Sequence, residues 1–95
     1  MYMEITLAKV DKYLQLTEKA LGMIKIDTKK VVDAKKTADD FLDMAQRYFS
    51  DAKHFKEKGD LVTAFAAINY AHAWLDAGAR LGVFDVHDTN LFAAD

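Results

Sequence analysis

The chain has 95 residues, 52% of them apolar, and a formal charge of −2, which suits one domain with a modest core and gives no general attraction to nucleic acid or anionic membrane. It contains no cysteine, which excludes disulfides, thiolate metal ligands and cysteine nucleophiles, and makes a reducing, cytoplasmic compartment the expectation. It also contains no proline and only four glycines, a composition for a few long helices joined by short turns.

The amino-terminal stretch MYMEITLAKVDKY carries Glu4, Lys9 and Asp11 where a secretion signal needs an unbroken apolar region, so no such signal is read. A first helix is expected over residues 3–26. Met3, Leu7, Val10, Leu14, Leu21 and Ile24 recur with 4-3 spacing, and Thr17 is the one interruption. Asp27 and Thr28 then offer a turn and a capping oxygen for the next helix.

A second helix is expected over residues 30–58. Val31, Ala34, Ala38, Phe41, Ala45, Tyr48, Ala52 and Phe55 keep a strict 3-4 spacing, the period of left-handed, coiled-coil-like packing. Leu42 and Phe49 add a second apolar line, so this helix is expected to be the central one. Its far side reads Asp33, Lys36, Asp40, Asp43, Arg47, Ser50, His54 and Glu57, a solvated face on which Asp43 and Arg47 can pair.

Gly59 stands where a left-handed helix terminus belongs, and Asp60 is a good N-cap. The third helix is expected over 60–82, with Gly82 ending it. Its longest uncharged run, Leu61–Leu75, is 15 residues, short of the roughly 20 needed to cross a bilayer. Small residues recur along it (Ala64, Ala66, Ala67, Ala71, Ala73, Ala77 and Ala79), and Gly78 sits inside it, as close helix packing would require. Residues 83–95 lack helical periodicity and read as an irregular tail whose Phe84, Val86, Leu91 and Phe92 can pack back onto the bundle. The expected fold is therefore all-α: one domain over 1–95, an antiparallel three-helix bundle with a short tail.

The sequence offers three candidate kinds of site. Asp51 with His54, and His72 with Asp76, have the helical spacing of carboxylate–histidine metal pairs. In a hairpin folded at Gly59-Asp60, however, His72 lies level with Arg47, about 10 Å along the axis from His54 at the α-helical rise. No metal site is expected. A polar cluster of Arg47, Tyr48, Asp51, His72, Trp74 and Asp76 near the middle of the hairpin is the best candidate for a pocket. Each member also has a structural reading: core aromatics with their polar tips at the edge, a flanking His72 with a satisfied hydrogen bond, and ion pairs of Arg80 with Asp39 or Asp40 and of Asp76 with Arg80 or Arg47. No phosphate loop, nucleophile elbow or HExxH motif is present, so no catalytic residue and no cofactor are assigned. Lys25, Lys29, Lys30, Lys35 and Lys36 gather near the start of the second helix, but Asp27 and Asp33 dilute them and no aromatics interleave, so nucleic acid is disfavoured.

Tyr48-Phe49-x-Asp51-Ala52-x-His54-Phe55, Gly59-Asp60, and Tyr70-Ala71-x-Ala73-Trp74-Leu75-Asp76-Ala77-Gly78-x-x-Leu81-Gly82 together resemble the archaeal family catalogued as "domain of unknown function 357". The resemblance is strong over the carboxy-terminal half; the first helix matches only as a generic amphipathic helix. It implies a small three-helix bundle and an archaeal source, and no assigned activity. Some relatives are joined to nucleotidyltransferase-like domains, which implies an accessory role, although no such domain is present here.

One surface stands out. An outward helix face normally carries charge, yet Val62, Ala66, Asn69, Ala73 and Ala77 do not. A homodimer or another protein partner through the third helix is the expected cover, and the tail is the alternative. The expected role is a non-catalytic interaction or accessory module. The competing reading is a small-ligand protein, for a nucleotide or phosphate, or a minor enzyme with its site near the middle of the hairpin.

Overall fold

Three helices form where the apolar periodicity runs longest: α1 (Leu7–Gly22), α2 (Ala34–Glu57) and α3 (Leu61–Leu81). The computed structural model describes residues 4–26 and 33–92, so Met3, the Asp27-Thr28 cap, Val31 and the lysines at 29 and 30 lie outside the described residues.

α1 is shorter than its pattern at both ends. Thr6 caps it by accepting the Lys9 amide at 3.1 Å, and Leu7 is half exposed at 50%. Gly22 is its last residue, and the Met23 amide closes onto the Ala20 carbonyl at 3.0 Å. The periodicity through Ile24 does not continue as helix because the chain is used elsewhere. Ile26 makes an isolated antiparallel bridge with Phe84, and the Lys25 carbonyl accepts the Asp85 amide at 2.6 Å.

α2 starts at Ala34 rather than near residue 30. Asp33 precedes it with φ 54°, in the left-handed region that aspartate tolerates better than most residues. At the far end Gly59 takes φ 81°, and the Asp60 amide bonds the Phe55 carbonyl at 3.0 Å. The Asp60 carboxylate then accepts the Thr63 amide at 3.1 Å and opens α3. Gly82 ends α3 at φ 90°, where its amide and that of Val83 both reach the Gly78 carbonyl at 3.1 and 3.0 Å.

Ring contacts fix the topology. Phe41 meets Trp74 and Tyr48 meets Tyr70, so α2 and α3 run antiparallel. Tyr13 meets Phe65 and Thr17 meets His72, so α1 runs parallel to α3 in an up-down-up bundle. The three helices pack against one another, and α1 lies against α3 more than against α2. The helix shared most widely is thus α3, not α2. Its small residues explain this, because they can meet a neighbour on two sides.

The α2 seam holds as a line of alanines. Ala34, Ala38, Ala45 and Ala52 are buried, while Phe41, Tyr48 and Phe55 are half-buried beside them. The core has two lobes. At the Gly59 end Val10, Leu14, Ala52, Ala64 and Ile68 meet. At the other end Ala20, Ala38, Ala45 and Leu75 meet Val83, Phe84, Val86, Leu91 and Phe92. The tail is therefore irregular, as expected, but it supplies half of one core lobe. A Cβ on Gly78 would fall 2.2 Å from the Phe84 ring, so Gly78 is the notch into which that ring fits.

Two outcomes follow from these contacts. Gly78→Ala gains about 1 kcal/mol of helix propensity but overpacks a buried ring fixed by its backbone bridge, which costs about 1–3 kcal/mol. The net effect expected in thermal unfolding is a lower melting temperature; a higher one would show that Phe84 has room to move. The Asp60 carboxyl is held below its ordinary value by the hydroxyl and then the amide of Thr63, so its cap contributes at neutral pH and is lost as the carboxyl protonates below about pH 3.8. Asp60→Asn, which caps without titrating, should flatten that part of a stability–pH curve measured by urea unfolding.

Candidate functional site

At about 100° per residue, α3 presents three strips to its surroundings. Tyr70 and Trp74 lie on one flank and His72 and Asp76 on the other. Val62, Ala66, Asn69, Ala73 and Ala77 form the strip between them.

The first flank is aromatic. Tyr48 meets Tyr70 edge-on with centroids 4.3 Å apart, Tyr70 meets Trp74 at 6.3 Å, and Trp74 meets Phe41 at 5.0 Å. Edge-to-face geometry of this kind adds attraction beyond the area buried. Next to the ladder, Tyr48, Asp51, Phe55, Thr63, Ala66, Ala67 and Tyr70 line an open, largely apolar groove of about 350 Å³.

The second flank is polar and tightly organised. The Leu91 carbonyl lies within hydrogen-bond reach of His72 Nε2, and the Thr17 hydroxyl is 3.0 Å from Nδ1. A carbonyl can only accept, so Nε2 carries the proton; Nδ1 of the neutral ring then accepts from Thr17. Asp76 Oδ1 stands 3.7 Å from Nε2. Thr17 is only 1% exposed. The interruption in the α1 pattern is thus a buried hydroxyl placed to meet a histidine. With both ring nitrogens engaged, His72 in this form has no lone pair left for a base. A recess of about 260 Å³ opens beside it, lined by Tyr13, Leu16, Asn69, Ala73, Asp76 and Asn90 as well.

The six-residue polar cluster is therefore divided. Tyr48, Asp51 and Trp74 lie along the aromatic flank, and His72 and Asp76 lie against α1 and the tail. Arg47 joins neither, being paired with Asp43 at 2.8 Å on the exposed side of α2. Asp39 is taken by Lys35 of its own helix at 3.0 Å rather than by Arg80. His54 is exposed and packs its ring against Phe55. Among the described residues no three histidine, aspartate or glutamate side chains converge as metal ligands. The groove between α1 and α2 holds Asp11 and Lys56 paired at 2.5 Å, with Glu18, Lys53 and Glu57 beside them, three carboxylates against two ammoniums, so it carries no strong charge of either sign. No helix among the described residues is long and apolar enough to cross a membrane.

All five residues of the middle strip remain exposed, Val62 at 67%. The described part of the tail, through Phe92, does not cover them. It docks on the opposite side of α3, against Gly78 and Leu75, because the notch for Phe84 and the donor for the Leu91 carbonyl are there; only Asn90 reaches the rim of the strip.

Residues 12–84 match the family model described as a protein of unknown function, DUF357. The chain belongs to the DUF357 family. No curated protein and no solved structure matches it. The DUF357 stretch begins inside α1 and ends at Phe84, so it holds α2, α3, Gly78 and the ring that fills its notch. The Thr17–His72 bond lies inside it, while Leu91 lies beyond it.

The Thr17–His72 bond gives the next expectation. Thr17→Val keeps the shape but leaves Nδ1 without its donor, and should cost about 0.5–1.5 kcal/mol in urea unfolding. An unchanged midpoint would mean that the hydroxyl bonds its own helix instead.

Proposed function

We propose that this DUF357 protein is a non-catalytic interaction module that works through the exposed strip of α3 and the aromatic groove beside it. One observation carries the reading. Val62, Ala66, Asn69, Ala73 and Ala77 form an uncharged exposed strip on a helix whose other sides are packed, and Tyr70 extends it at 48% exposure. A free helix surface is ordinarily charged. Aromatic residues such as Tyr48, Phe55 and Tyr70 of the groove are enriched at protein interfaces, where rigid side chains lose little entropy on binding.

The preferred occupant is a second copy of the chain, with the same strip meeting itself about a two-fold axis, the commonest arrangement of soluble homo-oligomers. Small residues at Ala66, Ala73 and Ala77 would let the two helices approach closely. A different protein partner on the same strip is the other form of this reading, consistent with an accessory role.

Sedimentation of the wild type over a wide concentration range should give a dimer mass that the Ala66→Glu, Ala73→Glu double variant loses while keeping its helical circular dichroism. Since both positions are exposed in the single chain, the variant should unfold near the wild-type temperature at low concentration. A wild-type monomer at every concentration removes the homodimer.

A further inference from the structure

The carboxy-terminal segment is held in two different ways. Up to Asp85 it is tied by backbone: Val83 and Phe84 amides reach the Gly78 carbonyl, Phe84 bridges Ile26, and the Asp85 amide bonds the Lys25 carbonyl. Beyond it the amides turn inward. Leu91 and Phe92 bond the Asp88 carbonyl at 3.0 and 2.9 Å, and Asn90 bonds the Asp88 side chain at 2.9 Å. Among the described contacts, residues 86–92 are fastened to the helices by the burial of Val86, Leu91 and Phe92, the Phe92 ring lying against His72, and by the hydrogen bond from His72 to the Leu91 carbonyl. Between those anchors His87, Thr89 and Asn90 are exposed, His87 Nε2 lying 3.0 Å from Asp85 Oδ1.

We propose that residues 86–92 form a releasable strap that undocks as a unit while the three helices stay folded, with His72 as its lock. Three buried side chains oppose the entropy of ordering seven backbone residues, a near balance that makes local opening the accessible event. Undocking removes the carbonyl from His72 Nε2 and bares the imidazole beside Asp76 and the recess lined by Tyr13 and Asn69. The lock therefore couples the strap to that recess, because the hydrogen bond that holds Leu91 is the one an occupant of the recess would compete for. The family match ends at Phe84, so the backbone-tied part lies inside it except for Asp85, and the strap lies outside it.

Amide hydrogen exchange on the full chain tests it. In the wild type, Leu91 and Phe92 should exchange at least on the order of tenfold faster than Ile68 and Leu75. Phe92→Ala should speed the strap amides further and leave Ile68 and Leu75 unchanged, while making the His72 Nε2–H signal exchange faster with water. His72→Ala should speed the strap roughly two- to tenfold, the value of one hydrogen bond, beyond any change in Thr17→Val, which removes only the α1 side of the bridge. Strap amides that exchange with the core in the wild type, or that rise together with Ile68 and Leu75 in Phe92→Ala, would overturn the proposal. So would a His72 Nε2–H signal that stays unchanged when the strap of Phe92→Ala opens.

Discussion

The packing of α2 against α3 through alanines is the constraint on which the rest of the molecule depends. Ala34, Ala38, Ala45 and Ala52 face Ala64, Ala67, Ala71 and Gly78 across the hairpin with almost no exposed surface. Side chains this small place little volume between the two backbones, so large residues cannot occupy the contact line and are moved to its edges. Phe41, Tyr48, Tyr70 and Trp74 form their ladder along one edge for that reason. The bulk needed to complete the core must then come from elsewhere: from Val10, Leu14 and Ile68 at the turn end, and from the tail at the other.

The tail's position follows from the same shortage of volume. Dispersion contacts are lost wherever a gap remains, and the lobe furthest from the Gly59 turn would be left open by alanines alone. Phe84 enters the notch at Gly78, and Leu91 and Phe92 fill the space near Ala20 and Leu75. Ordering an irregular segment is entropically costly, and the burial of five apolar side chains offsets that cost. The shortened end of α1 belongs to this arrangement as well. Residues 24–26 leave the helix because their backbone pairs with the incoming tail.

These dependencies explain which parts of the fold were legible in the sequence. The hairpin was, because each of its signals is local: an alanine–aromatic line at 3-4 spacing, a glycine in a left-handed turn, and an aspartate cap three residues before the amide it bonds. The resemblance to DUF357 was legible in the same stretch, and the family match extends from it back into α1, over residues 12–84. The boundaries of α1 and α2 were not, since the apolar period runs through Ile24 and only a long-range bridge to Phe84 stops it; Gly22 was the one local sign of that stop. Thr17 looked like a defect in its stripe, and nothing near it in sequence announces His72 as its partner 55 positions away. The polar cluster failed as a group for a related reason. Level along the axis was read correctly from the turn, but two side chains at one level can face opposite ways, and the 100° step separates Trp74 from His72.

The same step gives α3 its division of labour. On the side that carries Gly78, Leu75 and His72, the polar and apolar requirements are met within the chain. The buried hydroxyl has its imidazole and the imidazole has its carbonyl, as buried polar groups require. On the side that carries Val62, Ala66 and Ala73, nothing among the described residues supplies a cover, and the described part of the tail does not serve both sides because its buried anchors are on one. A helix with small residues on two opposite faces is suited to close contact on both, yet the described residues pack only one of them. The exposed strip is thus the surface left over once the contacts of the described residues are satisfied; the strap's apolar anchors lie away from it, the two meet only at the recess where Asn90 joins Asn69 and Ala73, and Ala66, outside that recess, is the position that probes the strip alone.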